Sequence, residues 1–253
     1  MTKLPQFYTL PPVNNWPYVL INARNPHLSY VRRNWKYIKS VIVDSGVEIF
    51  RNPQIKDYPS NWWNRLISIY YRARTYVREV WATIPDYPDD YHPTNLWTKD
   101  KTNIERTIEN IIYALNHYPK INWLIPIQGW NSDPKSLALS IKYLEDYGII
   151  KRKEYFAIAN LCVEPRSDII IKSVSIVRDL LPNKKIHVFG IKLNALRKIH
   201  HLIDSFDSFA WTRPVKGQGH SAKNLAERKQ FFYDWLERFM SIPKTTSLRD
   251  FID

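Results

Sequence analysis

Apolar and polar positions follow two different periods along this chain, and together they predict a succession of strands and helices. Seven short apolar runs have the length and composition of buried strands. They are Tyr18–Asn22, Ser40–Asp44, Val77–Ile84, Ile121–Ile127, Tyr155–Leu161, Lys185–Phe189 and Phe206–Trp211. Between these runs, apolar residues recur every three or four positions, which is typical of helices with one buried face. The last such helix is predicted at about 221–242.

Strands that are apolar throughout and alternate with helices predict a parallel sheet covered by helices. The chain of 253 residues has the length of one TIM-type (β/α)8 barrel. We therefore predict a single α/β domain over residues 1–253 with this fold. No eighth strand is evident in the pattern, so the barrel is expected to be incomplete or irregularly closed. A doubly wound open sheet is the alternative architecture.

The composition narrows the classes of partner and cofactor. A formal net charge of +13 and 14% aromatic residues indicate a polyanionic partner, nucleic acid before membrane. No apolar run has the length of a membrane span, and Met1–Pro5 lacks a signal-peptide core, so a cytoplasmic location is expected. Only six glycines are present, with no phosphate-binding or dinucleotide-binding loop. The single cysteine, Cys162, excludes a multi-cysteine zinc site, and neither a metal nor a cofactor is expected.

Polar residues stand at the ends of the predicted strands. They are Asp44 with Ser45 and Gly46, Asp86, Gln128 with Gly129, Asn160 with Leu161, and Asp207. Because the active sites of these barrels lie at the carboxyl ends of the strands, these residues are expected to share one pocket. Two aspartates that converge on a glycosidic bond can act as nucleophile and proton carrier. Carboxylate and amide oxygens can accept hydrogen bonds from the edge of a purine.

In chain order, these stretches resemble the motifs of the tRNA-guanine transglycosylase superfamily, whose relatives insert 7-deazaguanines into DNA. Asp44-Ser45-Gly46 is similar to the family's Asp-Ser-Gly-Gly-Phe-Gln motif, and Phe206 to Arg213 is similar to its Phe-Asp-Cys-Val-Leu-Pro-Thr-Arg motif. Shorter similarities link Gln128-Gly129 to Val-Gln-Gly, Tyr155–Leu161 to Tyr-Ala-Ile-Gly-Gly-Leu, and residues 188–191 to Met-Gly-Val. The resemblance covers roughly residues 38–214.

The resemblance implies a (β/α)8 barrel and base exchange at guanine, with a role for each matched residue. Asp207 is the implied nucleophile and Asp44 the implied proton carrier. The implied base-binding residues are Asp86, Gln128, Gly129, Asn160, Leu161, Ser45 and Gly46. Arg213 and Lys216, which accompany or follow the nucleophile motif, are predicted to bind phosphates.

The departures from the family bear on the substrate. Val47-Glu48 stands where the family has the Phe that sandwiches the base, and Asn160 replaces a Gly. The Cys-rich zinc site, which supports a tRNA-contacting subdomain in the family, is absent. DNA is therefore favoured over tRNA as the polymer, with a 7-deazaguanine such as preQ0 or preQ1 as the incoming base and no membrane partner. The alternatives are the same exchange on tRNA, a glycohydrolase, and an inactive barrel that only binds nucleic acid.

Overall fold

Eight parallel strands alternate with helices and form a nearly closed barrel, which confirms the predicted TIM-type fold. The computed structural model describes residues 4–89, 101–162, 164–212 and 224–242. The strands are β1 Gln6–Tyr8, β2 Tyr18–Asn22, β3 Ser40–Asp44, β4 Glu79–Thr83, β5 Trp123–Ile127, β6 Tyr155–Ile158, β7 Lys185–Val188 and β8 Ser205–Asp207. Each strand from β2 to β7 pairs with the next one along the chain, and β8 also pairs with β1.

Eight helices cover the outside of the barrel in the described part of the chain. They are α1 Leu28–Asn34, α2 Trp62–Arg74, α3 Asn103–His117, α4 Pro134–Asp146, α5 Ile149–Arg152, α6 Ser167–Leu180, α7 Leu193–Ile199 and α8 Leu225–Met240. Local sequence fixes several of their starts: Thr102 and Glu105 form a capping box at α3, and Asn224 accepts from the backbone N–H of Glu227 at α8. None of these helices combines the length and apolar character needed to cross a bilayer.

The strand that the sequence pattern misses is β1. It has only three residues, Gln6–Tyr8, and lies next to β8 in the register Phe7 to Phe206. On its other side it meets β2 through a single parallel bridge between Thr9 and Val19. The sequence pattern therefore shows seven of the eight strands, because a three-residue strand is too short to show a period. The expected irregular closure is found at this seam between β1 and β2.

Five of the seven predicted strands have other bounds in the structure. Three of them, β5, β6 and β7, are one to three residues shorter than predicted. The run Val77–Ile84 contains a shorter strand, Glu79–Thr83. The run Phe206–Trp211 leaves the sheet after Asp207, and Ala210–Thr212 forms a 3-10 turn. The turn forms because Ser208 Oγ accepts from Ala210 N at 3.2 Å and Phe209 O accepts from Thr212 N at 3.0 Å. The chain therefore bends away from the barrel directly after Asp207.

The interior of the barrel is partly polar. A small apolar cluster lies inside it: Tyr8, Leu20, Ile42, Leu124, Tyr155, Ala157 and Phe189. His187 and Ser205 are fully buried among the strands as well. The larger apolar core lies between the strands and the helices, where Phe7 stacks on Phe206 with ring centres 5.1 Å apart. Side chains of a barrel strand alternate between the interior of the barrel and the layer under the helices. A polar residue at an inward position therefore lies inside the barrel.

Candidate active site

A cavity of about 480 Å³ opens at the carboxyl ends of the strands. Four of the predicted residues line it: Asp44 and Ser45 after β3, Asp86 after β4, and Asp207 at the end of β8. Its other charged and nucleophilic lining residues are Glu48, Arg51, Cys162 and Lys192, and Phe209 adds an exposed aromatic ring. In the described part of the chain, no cluster of His, Cys, Asp and Glu side chains has a metal-binding arrangement.

Asp44 lies at the end of β3 among other carboxylates. Its Oδ2 accepts from Asn22 Nδ2 at 2.7 Å, and Oδ1 accepts from the backbone N–H of Gly46 at 3.4 Å. The same Asn22 nitrogen donates to Glu48 Oε2 at 2.8 Å, so this amide joins the two carboxyl groups. Burial, and then the nearby carboxylates of Glu48 and Asp207, raises the pKa of Asp44 well above its ordinary value. This environment favours the protonated form of Asp44.

Asp86 is held by the residues that follow β3. Ser45 Oγ donates to Asp86 Oδ1 at 3.1 Å, and Tyr58 OH donates to the Asp86 carbonyl at 2.8 Å. Trp62 Nε1 in turn donates to the Ser45 carbonyl at 2.9 Å. Gly46 is required at the turn between them, because its φ is +83° and a Cβ there would lie 2.9 Å from the Trp62 ring.

Asp207 is fixed through one of its two oxygens. Gly190 N donates to Asp207 Oδ1 at 3.0 Å, and His187 Nε2 lies 3.3 Å from the same oxygen. Within the described ranges, these hydrogen bonds both fall on Oδ1, which leaves Oδ2 as the oxygen for a bond to carbon. These two contacts orient the carboxyl group, and an aspartate carboxylate can act as a nucleophile.

Sequence reasoning missed the buried chain of groups behind Asp207. His187 Nδ1 lies 2.8 Å from Ser205 Oγ, and Ser205 Oγ lies 2.5 Å from Tyr155 OH. Burial raises the pKa of Tyr155 well above its ordinary value, so this hydroxyl keeps its proton. In the tautomer of His187 that carries its proton on Nε2, the ring donates to Asp207, Nδ1 accepts from Ser205, and Ser205 accepts from Tyr155.

The sequence does carry one signal for these hydrogen-bonded groups, which is the alternation of inward and outward positions along a strand. His187 stands between the apolar residues Ile186 and Val188, and Ser205 precedes the apolar Phe206, which places both polar residues at inward positions. Asn22 and Glu48 were also missed. They carry no motif, and their link to Asp44 depends on the pairing of β2 with β3, which places Asn22 opposite Asp44.

Five predicted base-binding residues are buried but do not line the cavity: Gly46, Gln128, Gly129, Asn160 and Leu161. Gln128 Nε2 donates to the Gly129 carbonyl at 3.1 Å. A Cβ at Gly129 would lie 2.2 Å from Asn160 Nδ2, so the glycine allows Asn160 to pack against the backbone. Gln128 Oε1 and Asn160 Oδ1 are buried without a hydrogen-bond partner among the described residues. The predicted phosphate contacts, Arg213 and Lys216, lie outside the described residues.

Comparison with known proteins adds a structural neighbour. No model of a known family matches this chain, and no curated protein matches it. Among solved structures, the chain is similar to active domain 2 of a chitinase from Pyrococcus furiosus, known from crystal structures of catalytic-site mutants. The two are 12% identical, with a TM-score of 0.47 over 94% of this chain and 97% of that chain. A likeness of this size does not bear on activity.

Proposed function

We propose that this protein is a nucleic-acid guanine transglycosylase that exchanges guanine for a 7-deazaguanine, with DNA as the polymer. The observation that carries this proposal is the pair of unlike aspartates on one cavity. Asp44 lies where burial and neighbouring carboxylates favour its protonated form. Asp207 accepts two N–H groups on a single oxygen. One carboxyl group is therefore suited to give a proton, and the other is suited to attack.

The first half of the proposed reaction removes the base. The target guanine leaves its stack and enters the cavity, which costs a few kcal/mol. Asp207 Oδ2 attacks C1′ of the sugar, and the bond from C1′ to the base nitrogen breaks with its electron pair passing to guanine. Asp44 supplies the proton that makes guanine a better leaving group. The product is an ester between Asp207 and C1′, while His187 and Gly190 keep their hold on Oδ1.

The second half inserts the new base. A 7-deazaguanine occupies the position of the departed guanine, and Asp44, now a carboxylate, takes the proton from its glycosylic nitrogen. That nitrogen attacks C1′ and the ester bond to Asp207 breaks, which restores the carboxylate. Two inversions retain the configuration at C1′, as in retaining glycosidases. Water must be kept from the ester, because its attack would leave an abasic site.

Recognition of the base is proposed for the acceptors around the cavity. Asp86, oriented by Ser45, is suited to accept from the N–H groups on the guanine edge. Gln128 Oε1 and Asn160 Oδ1 have no hydrogen-bond partner among the described residues, but both amides lie behind the cavity wall and do not contact the cavity itself. Their role in base binding therefore stays a prediction.

The proposed function is tested with labelled guanine and separate pools of DNA and tRNA. Wild-type protein is expected to place label in DNA, and Asp207→Ala is expected to place none. Label in tRNA with none in DNA would keep the chemistry and reverse the polymer. Release of guanine from either polymer without uptake of label would replace exchange by hydrolysis. Absence of both exchange and release in either pool would contradict the proposal.

A further inference from the structure

Positive charge is concentrated in the first third of the chain. Residues 1–78 contain twelve Lys and Arg against three Asp and Glu, whereas residues 79–253 contain 25 against 21. The three acids lie at or near the cavity end of the barrel. Asp44 and Glu48 line the cavity, and Asp57 Oδ2 lies 3.3 Å from Arg106 Nη2. The cations of this part of the chain therefore have few acidic neighbours in sequence.

Seven of these cations gather where α1 and α2 end and lead into β3 and β4. We call them the basic face: Arg32, Arg33, Lys36, Lys39, Arg72, Arg74 and Arg78. All seven are exposed, and none forms an ion pair with a residue of the described ranges. Glu79, the next residue along, directs Oε1 to Ser40 and Trp81 instead. Helices of a barrel run antiparallel to its strands, so this face lies at the end opposite the cavity.

Large aromatic side chains are exposed between these cations. Trp35 is 50% exposed, Tyr37 57%, Tyr71 50% and Tyr76 37%. Lys36 Nζ lies 5.8 Å from the centre of the Trp35 ring. Cations at the carboxyl end of a helix complement the helix dipole, and this effect falls off within the last turn. It does not explain Lys36 and Lys39, which lie between α1 and β3, or the exposed aromatic rings. Positive charge mixed with exposed aromatic faces is typical of surfaces that bind single-stranded nucleic acid.

A cleft between α1 and α2 brings two arginines of the basic face together. Arg32 and Arg72 both line this cleft of about 210 Å³, together with Leu28, Ser29, Thr75 and Tyr76. No acidic residue is among the lining residues. Two guanidinium groups in one cleft repel each other, and an anion between them removes that repulsion. A phosphodiester fits both the charge and the planar donors of arginine.

We propose that the basic face binds a segment of single-stranded nucleic acid, with phosphates at the Arg32–Arg72 cleft and unpaired bases on the exposed aromatic rings. The five residues of β3, at about 3.3 Å each, separate the two ends of the barrel by about 16 Å. The nucleotide at the basic face is therefore a different one from the nucleotide in the cavity. This binding goes beyond the proposed base exchange, because it requires no step of that chemistry.

The test is the affinity for a 30-nucleotide oligothymidine, measured by fluorescence anisotropy over a series of salt concentrations. The variant carries Arg32→Gln, Lys36→Gln, Arg72→Gln and Arg74→Gln. Each lost phosphate contact lowers the slope of log K against log salt by about 0.7, so four lost contacts lower it by about 2.8 and weaken binding roughly 600-fold at 0.1 M salt, relative to 1 M salt. The matched control carries Lys135→Gln, Lys142→Gln, Lys151→Gln and Lys172→Gln, four exposed lysines from α4 to α6. It removes the same charge and is expected to change the slope little.

Equal losses in the variant and the control would overturn the proposal, since the effect would then be one of total charge. Trp35→Ala with Tyr76→Ala is expected to weaken oligothymidine binding without changing the salt slope. The proposal would also be overturned if a DNA duplex bound as tightly as oligothymidine and its binding did not change in the Trp35→Ala, Tyr76→Ala variant. Binding of phosphatidylserine vesicles but not of the oligonucleotide would overturn it too. Circular dichroism of each variant checks its fold. If the wild-type protein binds oligothymidine but neither exchanges nor releases guanine, the proposed function is contradicted and this inference stands.

Discussion

Asp44 and Asp207 carry the same carboxyl group in different surroundings. Asp44 is buried beside Glu48 and Asp86, which disfavours its ionised form, whereas Asp207 accepts hydrogen bonds from Gly190 and His187 on one oxygen. For Asp44 the pKa of the folded state is raised above that of the unfolded chain. Its contribution to stability is therefore complete below the ordinary pKa and is lost as the pH rises through the raised one. Such a cost is tolerated at a site where the proton is used.

The pH dependence of exchange gives the first prediction. Base departure requires protonated Asp44, so kcat/KM is expected to fall as the pH rises through the pKa of Asp44. Glu48→Gln removes a negative neighbour, which lowers that pKa and moves the alkaline fall of the profile to lower pH. Glu145→Gln, at an exposed carboxylate on α4, serves as the control and should leave the profile in place. An unchanged alkaline limb in Glu48→Gln would show that Asp44 is not the acid.

His187 gives the second prediction, as a positioning residue for the nucleophile. It is completely buried and its Nε2 lies against Asp207, away from any contact with the polymer. A hydrogen bond to a charged group contributes about 1.5–3 kcal/mol, so His187→Phe is expected to lower kcat roughly 10–100-fold. KM for the nucleic acid should stay the same, and His187→Gln, which keeps an N–H donor, should recover part of the loss.

The control for His187 is the melting temperature of both variants. A merely structural role predicts that kcat falls with stability and that the glutamine variant recovers neither. Unchanged kcat in a folded His187→Phe would contradict the assignment.

Part of this site follows from sequence and part does not. Asp44, Ser45, Asp86 and Asp207 come directly after strands, so the rule that barrel sites lie at strand ends brings them to one cavity. Asn22, Glu48 and His187 act through partners on other strands. Those partners depend on strand register and on which side chains point inward, and neither is written in a local motif. Gln128 and Asn160 were placed by resemblance, and the structure buries both behind the cavity wall.

At the scale of elements, Thr9 connects both sides of the seam between β1 and β2. Its backbone bonds across the seam to Tyr18 and Leu20, and its side chain bonds to the segment that follows β8. Trp211 Nε1 donates to Thr9 Oγ1 at 2.8 Å, and Thr9 Oγ1 donates to the Ser208 carbonyl at 3.3 Å. Ser208 follows Asp207 directly, so this contact ties the seam to the strand that carries the nucleophile. The aromatic rings of Phe7 and Trp235, 4.4 Å apart, attach α8 to the same place.

Thr9 gives the third prediction. Thr9→Val keeps the shape of the side chain but leaves the buried Trp211 N–H without its acceptor. The free energy of unfolding is expected to fall by about 1–3 kcal/mol, measured by urea denaturation. Thr9→Ser keeps the hydroxyl and should lose less. A Thr9→Val variant as stable as the wild type would mean that the hydroxyl does not hold the seam together.

The elements themselves were largely predictable, because seven of the eight strands show long apolar runs between amphipathic helices. The exceptions have physical causes. A strand of three residues, such as Gln6–Tyr8, is too short to show an alternating pattern in the sequence. It is stabilised by pairing with β8. The chain beyond Asp207 is as apolar as a strand, yet a turn held by Ser208 and Phe209 ends the pairing. Pairing with a distant strand decides the first case, and local hydrogen bonds decide the second.

At the scale of the whole molecule, charge is divided between the two ends of the barrel. Carboxylates gather in the cavity at one end, and the seven cations of the basic face gather at the other. In the proposed function, this division would let the surface attract a polyanion while the cavity keeps a protonated acid. A +13 net charge alone predicts the attraction but not its location, since location depends on which helix ends lie side by side.

The central claim, that Asp207 forms a covalent bond with the sugar, is tested most directly by trapping that bond. Wild-type protein is mixed with guanine-containing DNA, quenched in denaturant and digested, and mass spectrometry locates the modified peptide. We predict an adduct on Asp207 that is absent from Asp207→Asn and disappears when guanine is added before the quench. A protein that exchanges or releases guanine with no adduct on Asp207, or with an adduct on another residue, would contradict the account.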